Sequence, residues 1–308
     1  MDVVEKFIAE KYSNNLKVRT FLTDLYRQYN SWGLKDGKFE KDFIDGTDEH
    51  FYGYLWEMFL ARHLKDIGLD ISSANEGPDF KICYEGRTVW VEAICPSPPK
   101  NFDYISLSDH KNGIVTTEYK THMLLRWTSA IKEKKEKLEK YMEKGIVKEC
   151  DPYVIALNSC RLWIYDENNR LDEQGLQSRH IGISGKPFVL EAVYPIGSPQ
   201  VHFKKIGCNK KELTKKGMYA SHRYRFEINK SNGAKVPTDN FLNSEYKHVS
   251  AILGTPADVD TACGAKHPIA VVHNHLAINK LPINILRADE EYITEDKGDD
   301  WYEINQFV

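Results

Sequence analysis

The clearest pattern in the chain is helical. Over residues 48–67 the apolar positions Phe51, Tyr54, Leu55, Met58, Ala61, Leu64 and Ile67 recur at three- or four-residue intervals, which predicts an amphipathic helix. Asp48 is placed to cap its start and Gly68 to end it. Two shorter stripes precede it, Val4, Phe7, Ile8 and Lys11, then Val18, Phe21, Leu22, Leu25 and Tyr29, and predict two short helices parted at Asn14-Asn15. Residues 31–47, broken by Gly33, Gly37 and Gly46, read as loop. After Gly68 the period falls to two. Residues 69–72, 80–84 and 88–94 read as strands, the last two joined into a hairpin through Glu85-Gly86-Arg87. Pro96, Pro98 and Pro99 then impose an irregular loop. A long helix is expected over about residues 117–144, with Met123, Leu124, Trp127, Ile131, Leu138 and Tyr141 on one side. Residues 153–158 form a continuous apolar run, as expected of a strand buried in a sheet.

Beyond residue 165 the pattern weakens. Residues 165–180 read as polar loop. Short strands are expected at 189–194, 201–205, 224–228 and 270–273, and one helix near 240–253. The chain therefore divides into an N-terminal helical segment (1–47), a core of alternating helices and strands (48–164), and a β-rich C-terminal region (165–308). That last region is either a second lobe or an extension wrapped on the core.

Composition narrows the classes. The chain has 308 residues, 41% hydrophobic and 28% charged, the profile of an ordinary globular protein rather than a disordered, collagenous or coiled-coil one. No run of 18 apolar residues is present, so no membrane partner is expected, and the N-terminus lacks the basic start and apolar core of a signal peptide. The 42 Lys and Arg nearly balance 45 Asp and Glu, so any phosphate-binding surface must be local. Six scattered cysteines without a CxxC pair point to free thiols in a reducing, cytoplasmic setting and away from a cysteine zinc site. Dinucleotide, P-loop and nucleophile-elbow motifs are absent. His273 and His275 would share one strand face and could form a metal pair, although a loop edge after the strand is the simpler reading. The Lys/Glu run of residues 132–140 and the Lys204-Lys205, Lys210-Lys211 and Lys215-Lys216 cluster are most simply solvated surface.

Three carboxylates stand out. Glu57 borders the apolar face of the 48–67 helix, Asp79 follows Gly77-Pro78 at a strand start, and Glu92 interrupts the apolar run Val89-Trp90-Val91-Glu92-Ala93-Ile94. Taken singly, each has a plain structural reading: a boundary residue, a turn residue and the partner of some arginine. An ionised Glu92 inside such a strand nevertheless requires a hydrogen-bonded, paired or cationic partner. The hairpin can set Asp79 beside it, and two neighbouring carboxylates suit Mg²⁺ or Mn²⁺, which take few carboxylates together with water and phosphate oxygens.

Gly77-Pro78-Asp79-Phe80 followed by Val91-Glu92-Ala93, with the preceding helix carrying Trp56-Glu57, resembles the PD-(D/E)XK nuclease superfamily over roughly residues 48–160. The resemblance implies a restriction-endonuclease-like α/β core of order αβββαβ with a mixed sheet. It also implies Glu57, Asp79 and Glu92 as metal ligands, and metal-dependent phosphodiester hydrolysis, chiefly of DNA in restriction, repair or defence. The chain departs from the family at one position: the motif lysine, two residues after the acid, is replaced by Ile94. Some members supply this lysine from the next helix, which here offers Arg126 and Lys134, with Lys132 and Lys135 nearby. Arg126 and Lys134 lie about 12 Å apart along a helix axis, too far to serve one atom. The alternatives are a degenerate nuclease fold acting as a nucleic-acid-binding or scaffolding module, and a hydrolase centred on His273 and His275. A homodimer is left open.

Overall fold

The computed structural model describes residues 2–73, 76–98, 117–162, 179–196, 200–203, 220–223, 227–230, 232–259, 264, 267–298 and 302–307. Four helices lead the chain: α1 (Val3–Lys11), α2 (Leu16–Ser31), α3 (Phe39–Asp45) and α4 (Asp48–Asp66). Then come β1 (Asp70–Ser72), β2 (Phe80–Tyr84), β3 (Arg87–Ile94), the long helix α5 (Thr117–Glu143) and β4 (Tyr153–Asn158). The C-terminal region adds a single helical turn, α6 (Phe188–Glu191), and eight further strands. These are β5 (Gln200–Phe203), β6 (Ala220–Arg223), β7 (Glu227–Asn229), β8 (Lys235–Pro237), β9 (Ala251–Thr255), β10 (Ala270–His273), β11 (Glu290–Asp296) and β12 (Tyr302–Phe307).

One mixed eight-stranded sheet, ordered β1-β2-β3-β4-β9-β10-β11-β12, organises the molecule, with the β5-β6 and β7-β8 ribbons outside it. Strands β3, β4 and β9 run parallel, so their carboxyl ends share one edge. Alternation along the strands sorts side chains into two cores. Val89, Val91, Ala93, Val154 and Ala156 meet the layer of α1–α4. Trp90, Tyr153, Ile155 and Leu157 meet Leu124, Trp127, Ile131 and Leu138 of α5 together with α6. The Trp56 indole donates to the Ala156 carbonyl at 3.0 Å and ties α4 to the sheet. On the other face Gly254 of β9 has no room for a side chain, because a Cβ there would lie 2.7 Å from the Trp127 ring. Among the described residues no helix is long and apolar enough to cross a membrane.

The mixed α/β architecture and the order helix, three strands, helix, strand follow the sequence expectation. Helix α4 starts one residue after its cap, Thr47 rather than Asp48, and Gly68, at φ 86°, ends it in the left-handed conformation. Four expectations need correction. Residues 31–47 are not all loop, since Phe39 and Phe43, four apart and both buried, drive α3. Residues 189–194 form no strand. The run from Phe188 to Tyr194 is buried on every side, so its pattern carries no period, and Pro187 starts a helical turn there instead. Residues 240–253 hold two short 3-10 turns (Asn240–Leu242 and Ser244–Tyr246) and β9 in place of a helix. Strands β11 and β12 were not foreseen because acidic residues crowd the first and the second carries polar residues on both faces. Strands β9–β12 extend the same sheet as β1–β4. The expectations for 165–178, for the 204–216 lysines, and for Cys208 and Cys263 fall outside the described residues.

Candidate active site

The site begins with a turn. Glu85 and Gly86, both at positive φ (49° and 76°), make a two-residue connection that matches the twist of a hairpin and sets Tyr84 opposite Arg87. The register then runs to Phe80 opposite Val91. Asp79 immediately precedes β2, and one further step of that register sets it level with Glu92. Asp79 Oδ2 accepts the Ala93 backbone N–H at 2.6 Å, which fixes the carboxylate at the sheet's edge.

Glu92 itself has no solvent exposure. It points to the α5 layer, where Lys134 Nζ donates to its Oε1 at 2.8 Å, Lys137 Nζ to the same oxygen at 2.6 Å, and the Tyr141 hydroxyl to Oε2 at 3.4 Å. Lys134, Lys137 and Tyr141 are spaced by three and four residues, so one stripe of α5 faces the carboxylate. The Lys134 side chain is 11% exposed and that of Lys137 42%, so Lys137 alone still reaches water. Burial works against the Lys137 charge, but the Glu92 carboxylate outweighs it and holds the ammonium well above the ordinary lysine range. Burial, then Glu92, pushes the Tyr141 phenol up to about 12.

Glu57 approaches from α4 on the opposite face of the sheet. Its Oε2 accepts from the Tyr29 hydroxyl of α2 at 3.3 Å. Withdrawal from water, followed by the negative charges of Asp79, Asp36 and Glu92, raises the Glu57 carboxyl well above the usual range. Asp79 is raised to about 7, again by burial first and then by Glu92, with Lys134 and Lys137 opposing. The Tyr29 phenol, buried between the two carboxylates, is driven upward by burial and by Glu57 and Asp79. Asp36, exposed and bonded by the Tyr54 hydroxyl at 3.3 Å, adds negative potential from the helical layer.

The three acids singled out in the sequence thus lie in one electrostatic neighbourhood. Glu57 and Asp79 are both only partly buried. Among the described residues nothing donates to Glu57 Oε1 or Asp79 Oδ1, while every other oxygen of the three carboxylates has a donor. The described residues contain no group of three or more His, Cys, Asp or Glu already drawn together closely enough to chelate a metal. The donor set still fits a hard cation: oxygen ligands only, with two open carboxylate atoms. Glu57 and Asp79 would hold such an ion, with Glu92 contributing field across the hairpin.

Of the two cationic stand-ins, Lys134 reaches Glu92 and Arg126 does not. Arg126 Nε bonds the Ser97 carbonyl at 2.6 Å, beyond the carboxyl end of β3, because two helical turns separate it from Lys134. Ile94 faces the same α5 core as Glu92. Sequence reasoning missed Lys137, Tyr141, Tyr29 and Asp36. Only the 134, 137, 141 spacing could have signalled any of them. Of the histidine pair, His273 Nε2 meets Glu291 at 2.6 Å and His275 Nδ1 meets the Tyr194 hydroxyl at 3.1 Å, while His275 Nε2 is buried without a hydrogen-bond partner among the described residues. The four described cysteines, Cys83, Cys95, Cys150 and Cys160, are free, with Cys95 and Cys160 in S···S contact at 3.7 Å. Comparison of the chain with protein-family models, with curated proteins and with solved structures returns no match.

Proposed function

We propose that residues 48–164 form a restriction-endonuclease-like core and that the protein is a metal-dependent nuclease hydrolysing phosphodiester bonds, with DNA as substrate. The observation that carries the reading is the pair of open carboxylate oxygens, Asp79 Oδ1 and Glu57 Oε1, beside the buried Glu92–Lys134–Lys137 group at the carboxyl end of β3. Burial and mutual repulsion disfavour the ionised forms of Glu57 and Asp79, and a divalent cation shared by their open oxygens would offset that cost. Such an ion, when bound, acidifies water and screens the charge that builds on a phosphodiester under attack.

The chain's own residues do the rest. The Ala93 N–H aims Asp79 outward, and Tyr29 does the same for Glu57. Lys134 is nearly enclosed and acts as a positioning residue that holds the Glu92 carboxylate in place. Lys137 shares Glu92 but remains half-exposed, so its ammonium can turn a donor toward a non-bridging phosphate oxygen.

The test is cleavage of supercoiled plasmid with Mn²⁺ by the wild type, Asp79→Asn and Glu57→Gln. Both replacements keep the existing hydrogen bonds and remove a charge. Loss of at least a hundredfold in rate, together with loss of Mn²⁺ binding by calorimetry, is the expected result. Cleavage that survives Asp79→Asn overturns the site. A second reading has its own observation: Glu92 is sealed and paired to two lysines, as in a purely structural ion network. DNA binding by the wild type without Mn²⁺-dependent cleavage would favour that non-catalytic module.

A further inference from the structure

Past the carboxyl ends of β3 and β4, two arginines from opposite layers meet on one residue. Arg126 of α5 donates from Nε to the Ser97 carbonyl at 2.6 Å, and Arg161, just beyond β4, donates from Nη1 to the Ser97 hydroxyl at 2.7 Å. Arg161 lies over the Tyr52 ring of α4, 5.5 Å from its centroid. Each guanidinium has five N–H donors and uses one here. Among the described residues neither has a carboxylate within ion-pair distance, whereas the more deeply buried Arg179 is neutralised by Asp258 at 2.7 Å. Both are only partly exposed. Burial lowers the Arg126 proton affinity, distant Glu133 and Glu49 raise it, and the like charge of Arg161 lowers it again. Two half-buried cations held against each other without an acid are an unfavourable arrangement that an anion would relieve. Their planar forks match phosphate oxygens, and the crevice beyond the carboxyl ends of parallel strands is where open α/β sheets take ligands.

We propose that Arg126 and Arg161 form a second phosphate-binding subsite that grips a backbone phosphodiester of the nucleic-acid strand, on one side only of the carboxylate cluster. The proposal rests on the nuclease reading for its substrate class. Arg126 and Lys134 are separated by eight residues of one helix, about 12 Å, or three to four base-pair steps of a duplex at 3.4 Å each. A grip on one flank fixes the direction in which the strand crosses the site. The same donors would also take a terminal phosphate monoester, so the probe must separate the two.

The experiment is fluorescence anisotropy of the full chain in EDTA with a labelled 20-base-pair duplex, carrying either 5′-hydroxyl or 5′-phosphate ends, between 50 and 200 mM NaCl. Arg126→Gln/Arg161→Gln is expected to weaken binding about tenfold and to flatten the log–log salt dependence by about one. Arg126→Lys/Arg161→Lys, which keeps the charges, should restore most of the slope. Arg161→Gln alone removes one side-chain hydroxyl bond and the contact with the Tyr52 ring, no backbone bond, and gives a partial effect in the same direction if the double variant fails to fold. An unchanged slope overturns the subsite, as does absence of wild-type binding or an effect confined to 5′-phosphorylated ends. Mn²⁺-dependent plasmid cleavage, measured separately, distinguishes this failure from that of the nuclease reading. Asp79-dependent cleavage with an unchanged slope sinks the subsite alone. A flattened slope in a protein that does not cleave sinks the catalytic assignment and leaves the anion grip standing.

Discussion

Glu191 and Asp79 are both carboxylates drawn out of bulk water, one at the end of α6 and one just before β2, and the protein treats them in opposite ways. Glu191 is fully enclosed and fully bonded. Ser184 donates through its backbone N–H and its hydroxyl, both at 2.6 Å, and Ile183 N–H reaches the other oxygen at 3.0 Å. Gly182 lies so close that a Cβ would come within 2.5 Å of the carboxylate. Glu291 is treated alike, with His273 on one oxygen and the Asn284 N–H shared between both, and Asp258 has Arg179. Asp79 and Glu57 keep an open oxygen each and repel one another. An acid whose every lone pair is answered by the chain is a structural part, while one left open at the expense of stability is kept for a ligand. Glu92 stands between the two classes, sealed like Glu191 but coupled to the open pair.

The largest effect should come from breaking that intermediate case. Glu92→Gln leaves Lys134 enclosed without its counter-charge, while Lys137 can turn to water. A loss of about 3 kcal/mol in urea unfolding is expected, in the range for a buried pair deprived of one partner. Replacing both, Glu92→Leu with Lys134→Met, should recover most of the loss, since an apolar pair can stand in for a buried ion pair. A double variant as unstable as the single would place the strain elsewhere in the hairpin.

Glu191→Gln sharpens the contrast from the other side. The amide fits the same space but cannot accept from all three donors, so a loss of about 2 kcal/mol is expected, in line with hydrogen bonds to charged groups. Plasmid cleavage corrected for the folded fraction should not change. A drop in turnover would show that Glu191 reaches the site after all.

Part of this division could be read in the sequence. Glu85-Gly86 gives the hairpin turn, and counting back from it sets Asp79 against Glu92. Lys134 follows from helical spacing once a cation is sought opposite Glu92. The remainder depends on tertiary approach. Tyr29 belongs to a helix that meets Glu57 only when α2 packs on α4, and Lys137 sits in a Lys/Glu run whose local pattern is that of a solvated face. In the C-terminal half, α6 and β9 are enclosed on all sides, so burial leaves no period to read, and the donors that close off Glu191 lie seven and eight residues away with no motif to mark them.

The smallest effect is also the one with opposite sign. Asp79 titrates near 7 in the folded protein, against 3.8 for an ordinary aspartate. Below pH 3.8 folded and unfolded chains both hold the proton, and the side chain is neutral to stability. Between those values the unfolded chain releases a proton that the folded one retains, so stability falls as pH rises, and above 7 the penalty is complete. Linkage at about 1.4 kcal/mol per pH decade would give about 4 kcal/mol, and the water that still reaches this partly buried carboxylate reduces that to about 1–2. Asp79→Asn, whose amide oxygen can still accept the Ala93 N–H, should therefore be more stable than the wild type in EDTA at pH 8. The advantage should shrink through the window from 7 to 4 and vanish below it, as thermal unfolding across that range would show. Mn²⁺ at pH 8 should raise the wild-type midpoint and leave that of Asp79→Asn unmoved. A variant that is less stable at pH 8 would mean that Asp79, like Glu191, is an answered charge, and the distinction between the two carboxylates would not hold.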